Sequence, residues 1–321
     1  MNEDWKKFLQ QKITNVTQSN NEHCLVDLSS FDIIEISGDD AEDFLQGQLS
    51  SDVSSLEIGT WQMSSWCNIK GRVIATFFLY RDTQRYFLLL KNTISEKLSK
   101  RLQMFVLRAK VTITNLSEEF VPIGLTADLN KEALSYIDGI ENTHLLTIRT
   151  GSEPARSIII CPVTNAKELW QKISEQADVS EAAQWEILDI QSGIPWVGEE
   201  CSEEFLPQSL NLDLLGGLSF DKGCYPGQEI VARMHFRGKL KQRLYCAKIA
   251  TQDKISIKAK VSSNSAQQHV GQVVNCIEDS EANYLILLTL DLEATEADSL
   301  FFESENGPYL ELSPLPYSLA N

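Results

Sequence analysis

The sequence predicts an α+β fold, in which short strands alternate with amphipathic helices. Residues 31–36 alternate apolar and polar side chains, which is typical of a half-buried strand. Residues 92–106 carry apolar side chains at helical spacing, at Ile94, Leu98, Leu102 and Phe105. Beyond Arg243, several short β-rich runs predict a small C-terminal barrel.

The first elements follow one another closely. After the strand at 31–36, Gly38, Asp39 and Asp40 provide capping residues for a helix that should bury Phe44, Leu45 and Leu49. Turn-forming or charged residues then separate three strand-like runs, at 59–67, 72–80 and 85–90. The helix at 92–106 completes a predicted sheet with packed helices.

The middle of the chain predicts an inserted unit. Residues 111–176 have the order strand, strand, helix, strand, strand, helix, with strands near 111–114, 121–125, 144–148 and 157–160, as in a ferredoxin-like unit. A helix at 182–191 leads back, and the long irregular segment 192–217 is of the kind that lines a site. We expect a discontinuous domain of residues 1–108 and 178–240, an inserted domain of 109–177 and a barrel of 241–321.

Composition restricts the partners. The 28 basic and 45 acidic residues give a net charge of −17, so the average field repels polyanions, and direct binding of a nucleic acid such as tRNA should be weak or absent. The N-terminus lacks an apolar signal region and no run is long enough for a membrane span, so we expect a cytoplasmic protein. Seven scattered cysteines without a Cys-x-x-Cys pair predict reduced thiols and no intrinsic metal site.

The most informative segment is the octapeptide KGCYPGQE at residues 222–229. Pro226 and Gly227 fit the central positions of a type II turn, which holds Cys224 beside a tight turn. If the preceding segment is extended, Lys222 and Cys224 project from one face and the ammonium can stabilise a thiolate. The alternative is that Cys224 is a small buried apolar residue.

Several motifs resemble one family. They are residues 206–238 around the octapeptide, FLQGQL at 44–49 with Asp52 and Val53, Cys67 with KGR at 70–72, Gln184 and Trp185 with GIP at 193–195, and PLPYSL at 314–319. Together they resemble the YgfZ family of folate-binding, tRNA-modifying proteins over nearly the whole chain. The resemblance implies a fold shared with the aminomethyltransferase T-protein of the glycine cleavage system, with three lobes around a tetrahydrofolate channel. It also implies a role in iron–sulfur-dependent tRNA modification.

The resemblance also implies a ligand set. Phe31 and Trp185 correspond to two aromatic ligand contacts of the family, whose members can carry Trp where this chain has Phe31. The alternative is that both rings fill the core. The cofactor is expected to be tetrahydrofolate or a one-carbon-substituted folate, contacted by Phe31, Trp185, Tyr225, Gln228, Glu229, Arg233 and Arg237. Cys224 and Lys222 form the expected catalytic pair.

A dense basic run lies directly after the octapeptide, at Arg233, His235, Arg237, Lys239, Lys241 and Arg243. If extended, these odd-numbered residues could share one face and bind an anion such as a polyglutamylated folate tail. The alternatives are a solvated face or pairing with carboxylates of the same chain. If the segment is helical, Glu229 and Arg233 could form an (i, i+4) pair.

The leading functional hypothesis is a folate-binding accessory protein that supports iron–sulfur enzymes or their assembly factors, and thereby tRNA thiomethylation, with Cys224 as the reactive centre. The second is a folate-dependent one-carbon transferase. Ala75 and Thr76 align with the acidic pair of the T-protein, and neither can act as a carboxylate base. A regulatory folate sensor, which would not need the thiol, is the third.

Overall fold

The computed structural model describes residues 2–12, 24–126, 131–148, 156–264, 269–280, 282–295 and 299–319. The fold is α+β, as the sequence predicts. The helices are α1 (Glu3–Lys12), α2 (Ala41–Gln46), α3 (Asn92–Val106), α4 (Lys131–Asp138), α5 (Val163–Ile173), α6 (Ala182–Gln191), α7 (Gln228–Arg237) and α8 (Leu292–Thr295). None of the described helices is both long and apolar enough to cross a bilayer.

The strands belong to three sheets. They are β1 (Cys24–Asp27), β2 (Phe31–Ser37), β3 (Trp61–Cys67), β4 (Val73–Arg81), β5 (Arg85–Lys91), β6 (Thr112–Asn115), β7 (Phe120–Leu125), β8 (His144–Ile148), β9 (Arg156–Pro162), β10 (Asp178–Ser180), β11 (Gln242–Ala250), β12 (Lys260–Ser263), β13 (Gly271–Ser280), β14 (Asn283–Asp291), β15 (Leu300–Phe302) and β16 (Leu310–Ser313). The sheet orders are β10-β1-β7-β9-β8, β3-β4-β5-β2-β6 and β15-β12-β13-β14-β11-β16.

The chain divides into two compact units. One contains Met1–Ala41, Glu57–Trp61 and Leu79–Trp185, and the other Glu42–Leu56, Gln62–Phe78 and Glu186–Asn321. The three-domain division expected from the sequence stays a prediction.

The first unit is built around the sheet that contains β7, β8 and β9. Its core includes Trp5 of α1 and Trp170 of α5, whose rings meet edge to face at 5.5 Å. The ferredoxin-like expectation for residues 111–176 is wrong in two respects. Strand β1, which has no counterpart among the predicted strands, pairs in parallel with β10 and antiparallel with β7. Strand β6 pairs with β2 instead of joining β7, because its backbone completes the ladder with Ile34–Ser37.

The second unit contains the predicted C-terminal β-rich region. Strands β13 and β14 form a long antiparallel hairpin, and β14 pairs with β11 over nine residues. The bridge between Phe301 and Tyr309 joins the ends of the strand order, so the sheet is nearly closed and barrel-like. Its apolar core includes Val261, Leu288 and Leu290. The C-terminal barrel expected from the sequence is therefore confirmed in outline.

Candidate functional site

Cys224 lies in an irregular loop of the second unit and is exposed. The other six cysteines are buried or half-buried, and all seven are free. The alternative that Cys224 is a buried apolar residue is therefore wrong for this structure. An accessible thiol can meet a reagent or a partner without any rearrangement of the fold.

Lys222 has a different environment from Cys224. Its side chain is buried, and its Nζ donates hydrogen bonds to the backbone carbonyls of Leu49 at 2.8 Å and Ser51 at 2.7 Å. Burial lowers the pKa of Lys222 to about 8, although the carboxylate of Asp52 favours the charged form. The expectation of an extended segment with Lys222 and Cys224 on one face is wrong, because the ammonium turns inward to satisfy two carbonyls.

Two more hydrogen bonds hold the same loop. The Ser219 amide donates to the Ser50 carbonyl at 2.9 Å, and Ser50 Oγ donates to the Gly217 carbonyl at 2.7 Å. We call the four bonds between residues 49–51 and 217–222 the loop clamp. These bonds hold the backbone just before Cys224 in place, so the exposed thiol lies on a loop with a defined conformation.

The turn after Cys224 is the predicted type II turn. Gly227 has φ +82° and ψ −2°, and the Gln228 amide donates to the Tyr225 carbonyl at 3.2 Å. A Cβ on Gly227 would lie 2.4 Å from the Asn68 carbonyl oxygen and 2.6 Å from Gly71 Cα. The turn therefore packs directly on a second glycine turn at residues 68–71, and only glycine fits at position 227.

Two further residues of the octapeptide, Tyr225 and Gln228, contact the interior of the protein or the loop itself. Tyr225 is buried, and its hydroxyl has no hydrogen-bond partner among the described residues. Burial raises the pKa of Tyr225, and the nearby Cys67 adds to the effect. Gln228 Nε2 donates to the Lys222 carbonyl at 3.3 Å, which joins the first residue of α7 to the loop. In this structure the contacts of Lys222 and Gln228 brace the protein backbone.

The basic run is helical, not extended. Helix α7 covers Arg233, His235 and Arg237, so side chains two positions apart point in different directions instead of sharing one face. Arg243 is buried and pairs with Asp213 at 2.6 Å, and Lys239 pairs with Glu293 at 3.1 Å. Pairing with carboxylates of the same chain is thus confirmed for these two cations. Helix α7 also exposes Glu229, Arg233 and Arg237. Because the segment is helical, Glu229 and Arg233 have (i, i+4) spacing.

Phe31 and Trp185 lie in the first unit. Both are buried, with the Lys91 ammonium 4.5 Å from the Phe31 ring centroid and the Arg156 guanidinium 4.8 Å from that of Trp185. Gly124 approaches Trp185 so closely that a Cβ there would lie 2.6 Å from the indole ring. The Trp185 Nε1 atom nevertheless has no hydrogen-bond partner among the described residues. The structure thus covers the ring faces and leaves one buried donor unpaired.

Ala75 and Thr76 are fully buried, and the Thr76 hydroxyl is committed to the backbone. Its Oγ1 donates to the Pro195 carbonyl at 2.7 Å and accepts from the Val197 amide at 2.8 Å. Thr76 thus holds the irregular segment after α6 against β4, and neither Ala75 nor Thr76 supplies a carboxylate.

The residues that support Cys224 were not predicted as such from the sequence. Ser50, Leu49 and Asn68 lie in or beside the motifs at 44–49 and 67–72, which carry no sign of contact with the octapeptide. The positive φ of Gly71, +70°, shows that KGR is a turn, and the glycine within that motif was the available signal. In the part of the chain that the structure describes, no group of three or more His, Cys, Asp or Glu side chains could hold a metal ion.

Comparison with known proteins agrees with the fold. Residues 2–144 match the family described as GCVT N-terminal domain. The structure resembles the glycine cleavage system aminomethyltransferase T from Bartonella henselae with a TM-score of 0.74 and 16% sequence identity, over 96% of this chain and 89% of that one. A heterotetrameric sarcosine oxidase from Corynebacterium sp. U-96, in complex with pyrrole 2-carboxylate, covers 52% of this chain and 92% of its own at 12% identity. Its TM-score of 0.32 supports no conclusion. The chain therefore has the aminomethyltransferase T fold.

Proposed function

We propose that this chain is a folate-binding accessory protein of the YgfZ type, which supports iron–sulfur enzymes that modify tRNA, with Cys224 as its reactive centre. The observation that carries the proposal is the exposed thiol on a loop braced by the clamp and by two packed glycine turns. A thiol held at a fixed exposed position suits repeated encounters with partner proteins. The motifs of the octapeptide and the T fold supply the family context.

The folate part of the proposal depends on Trp185. An unpaired buried donor is rare in proteins, and a pterin edge has acceptors that an indole N–H could satisfy. Gly124 and Arg156 lie against the Trp185 ring, so we assign Trp185 a hydrogen-bonding role through its unpaired N–H in place of the expected stacking role. Because this N–H is buried as well, the assignment requires the residues that cover it to move when folate binds. Bound tetrahydrofolate or its one-carbon derivative would supply a carrier of one-carbon units.

A one-carbon transferase is the second candidate, and the T fold is the observation that favours it. Two residues argue against aminomethyl transfer, a reaction that needs a carboxylate at this position. Ala75 has only a methyl group, and both hydrogen bonds of the Thr76 hydroxyl are made with the backbone.

The decisive experiment is complementation of cells that lack this protein. We expect Cys224→Ser to fail to restore tRNA thiomethylation while it keeps its stability and its folate affinity, because the substitution removes only the thiol. Cys201→Ser, at a buried cysteine, is the control for losing a thiol elsewhere. Full restoration by Cys224→Ser would contradict the role of Cys224, and calorimetry that detects no folate binding by the wild type would contradict the cofactor assignment.

A further inference from the structure

Helix α7, which follows the Cys224 turn, turns most of its surface to solvent. Val231 is its one buried residue. Two large apolar side chains point outward, Ile230 with 40% and Phe236 with 67% of its surface exposed. Exposed apolar side chains grouped in this way mark binding surfaces more often than isolated ones do.

An aromatic cluster extends this surface across the octapeptide. The Phe220 ring stacks on His235 with centroids 3.8 Å apart and an interplanar angle of 13°. Phe236 meets both rings edge to face, at 6.2 Å from Phe220 and 4.7 Å from His235. Phe220 precedes the octapeptide and His235 follows it, so the cluster joins the two ends of the segment that contains Cys224.

Helix α7 also carries two exposed arginines. Arg233 and Arg237 are exposed and make no ion pair with the described residues, whereas Lys239 nearby is paired with Glu293. The carboxylates of the same segment are Asp221 and Glu229, and Glu229 lies one turn before Arg233. Arg237 therefore remains free to pair with an external carboxylate. Arginine and aromatic residues are the side chains enriched at protein interfaces.

We propose that the side of α7 formed by Ile230, Arg233, Phe236 and Arg237, called here the α7 face, docks an acidic protein segment with apolar anchors. Phe220 and His235 border this face through their contacts with Phe236. The inference rests on the proposed function, because it names the partner that would meet Cys224. A few carboxylates can pair with the arginines despite the net charge of −17, since distant charges are screened beyond about 8 Å at physiological salt. A continuous row of phosphates would meet that negative charge along its length, so nucleic acid is the disfavoured occupant.

Fluorescence anisotropy with short labelled probes tests the proposal on the full chain. The probes are a glutamate–leucine peptide, a glutamate–serine peptide, a lysine–leucine peptide and an oligouridylate of equal length. We expect measurable binding of the glutamate–leucine peptide alone. The double variant Arg233→Glu, Arg237→Glu and the single variant Phe236→Ser should each weaken it by about tenfold or more.

The matched control is Lys248→Glu, Lys254→Glu, which changes the net charge equally at exposed lysines of the same unit outside the α7 face. It should bind like the wild type. Equal loss in this control, tighter binding of the oligouridylate, or no binding of the glutamate–leucine peptide would overturn the proposal. None of these results depends on folate binding or on tRNA thiomethylation, so failure here is separable from failure of the proposed function.

Discussion

Lys222, which the sequence predicted to be catalytic, instead stabilises the loop that carries Cys224. The period-two rule places it beside Cys224 only if the backbone is extended, and the segment is irregular. The buried ammonium instead satisfies the carbonyls of Leu49 and Ser51. We therefore regard Lys222 as a positioning residue for the Cys224 loop.

Lys222→Met keeps a long apolar stem and removes both hydrogen bonds. We expect it to lower the free energy of unfolding by about 1–3 kcal/mol, because two buried carbonyls lose their donor. Lys248→Met, at an exposed lysine of the same unit, is the control and should have little effect. Urea denaturation measures both.

The wild type and Lys222→Met should also differ in how their stability depends on pH. The unfolded chain should hold the Lys222 proton up to about its ordinary pKa of 10.5, whereas the folded protein releases it at about 8. Between these values the unfolded state binds more protons, so the contribution of Lys222 to stability rises with pH. We expect the stability gap between wild type and Lys222→Met to widen from pH 8 to pH 10.5. A constant or shrinking gap would contradict the lowered pKa of Lys222.

Trp185 permits a sharper folate test than truncation does. Trp185→Ala would empty a fully buried site and cost about 3–5 kcal/mol of stability, which confuses folding with binding. Trp185→Phe keeps a ring against Gly124 and removes the unpaired N–H. We expect it to weaken tetrahydrofolate binding by about tenfold in calorimetry, the equivalent of one hydrogen bond.

Trp196→Phe is the comparison for that variant. The Trp196 indole already donates to Asp189 at 2.8 Å, so its loss should appear in the free energy of unfolding and leave folate affinity unchanged. If Trp185→Phe binds folate like the wild type, Trp185 belongs to the core alone.

At the scale of elements, the two glycine turns are the structural support of the site. Gly227→Ala would place a methyl group against the Asn68 carbonyl at a positive φ. Gly216→Ala is a close control, because Gly216 has φ +71° and a Cβ added there would meet nothing within 4 Å. We expect a loss of about 1 kcal/mol for Gly216→Ala, from the left-handed conformation, and a clearly larger loss for Gly227→Ala. Equal losses in urea denaturation would show that the turns do not press on each other.

Local patterns predicted many of the elements well. Helices α3 and α6 and strand β8 have the predicted bounds, because their apolar spacing or flanking residues are unambiguous. Strand β1 was missed because four residues carry too little periodicity. Helix α7 was left undecided between helix and strand, since its alternating cations could share one face of a strand, whereas Glu229 and Arg233 have the (i, i+4) spacing of a helical pair. The loop clamp could not be predicted, because each of its four bonds ends on a backbone carbonyl far away in the sequence, and no sequence pattern relates the two segments.

For the whole molecule, the T fold and the proposed accessory role lead to different expected activities. The chain shares the aminomethyltransferase T fold, yet Ala75 and Thr76 replace the acidic pair that the resemblance aligns with them. We expect the purified protein to form no methylenetetrahydrofolate from an aminomethylated lipoyl carrier, with an authentic T-protein as the positive control in the same assay. Turnover at a comparable rate would refute the accessory role and favour the transferase.

The loop clamp also has a consequence for the order of folding. Its two Lys222 bonds connect residues 173 and 171 positions apart, so the Cys224 loop cannot acquire its native shape until distant parts of the chain have met. Contacts of such long sequence separation carry a loop-closure cost and form late when the rest of the fold does not bring their ends together. During synthesis, residues 49–51 must wait for most of the polypeptide before their partner emerges. The exposed Cys224 thiol therefore reaches its native position only after segments more than 170 residues apart have met, so a chain still being synthesised does not yet hold this loop in its final conformation.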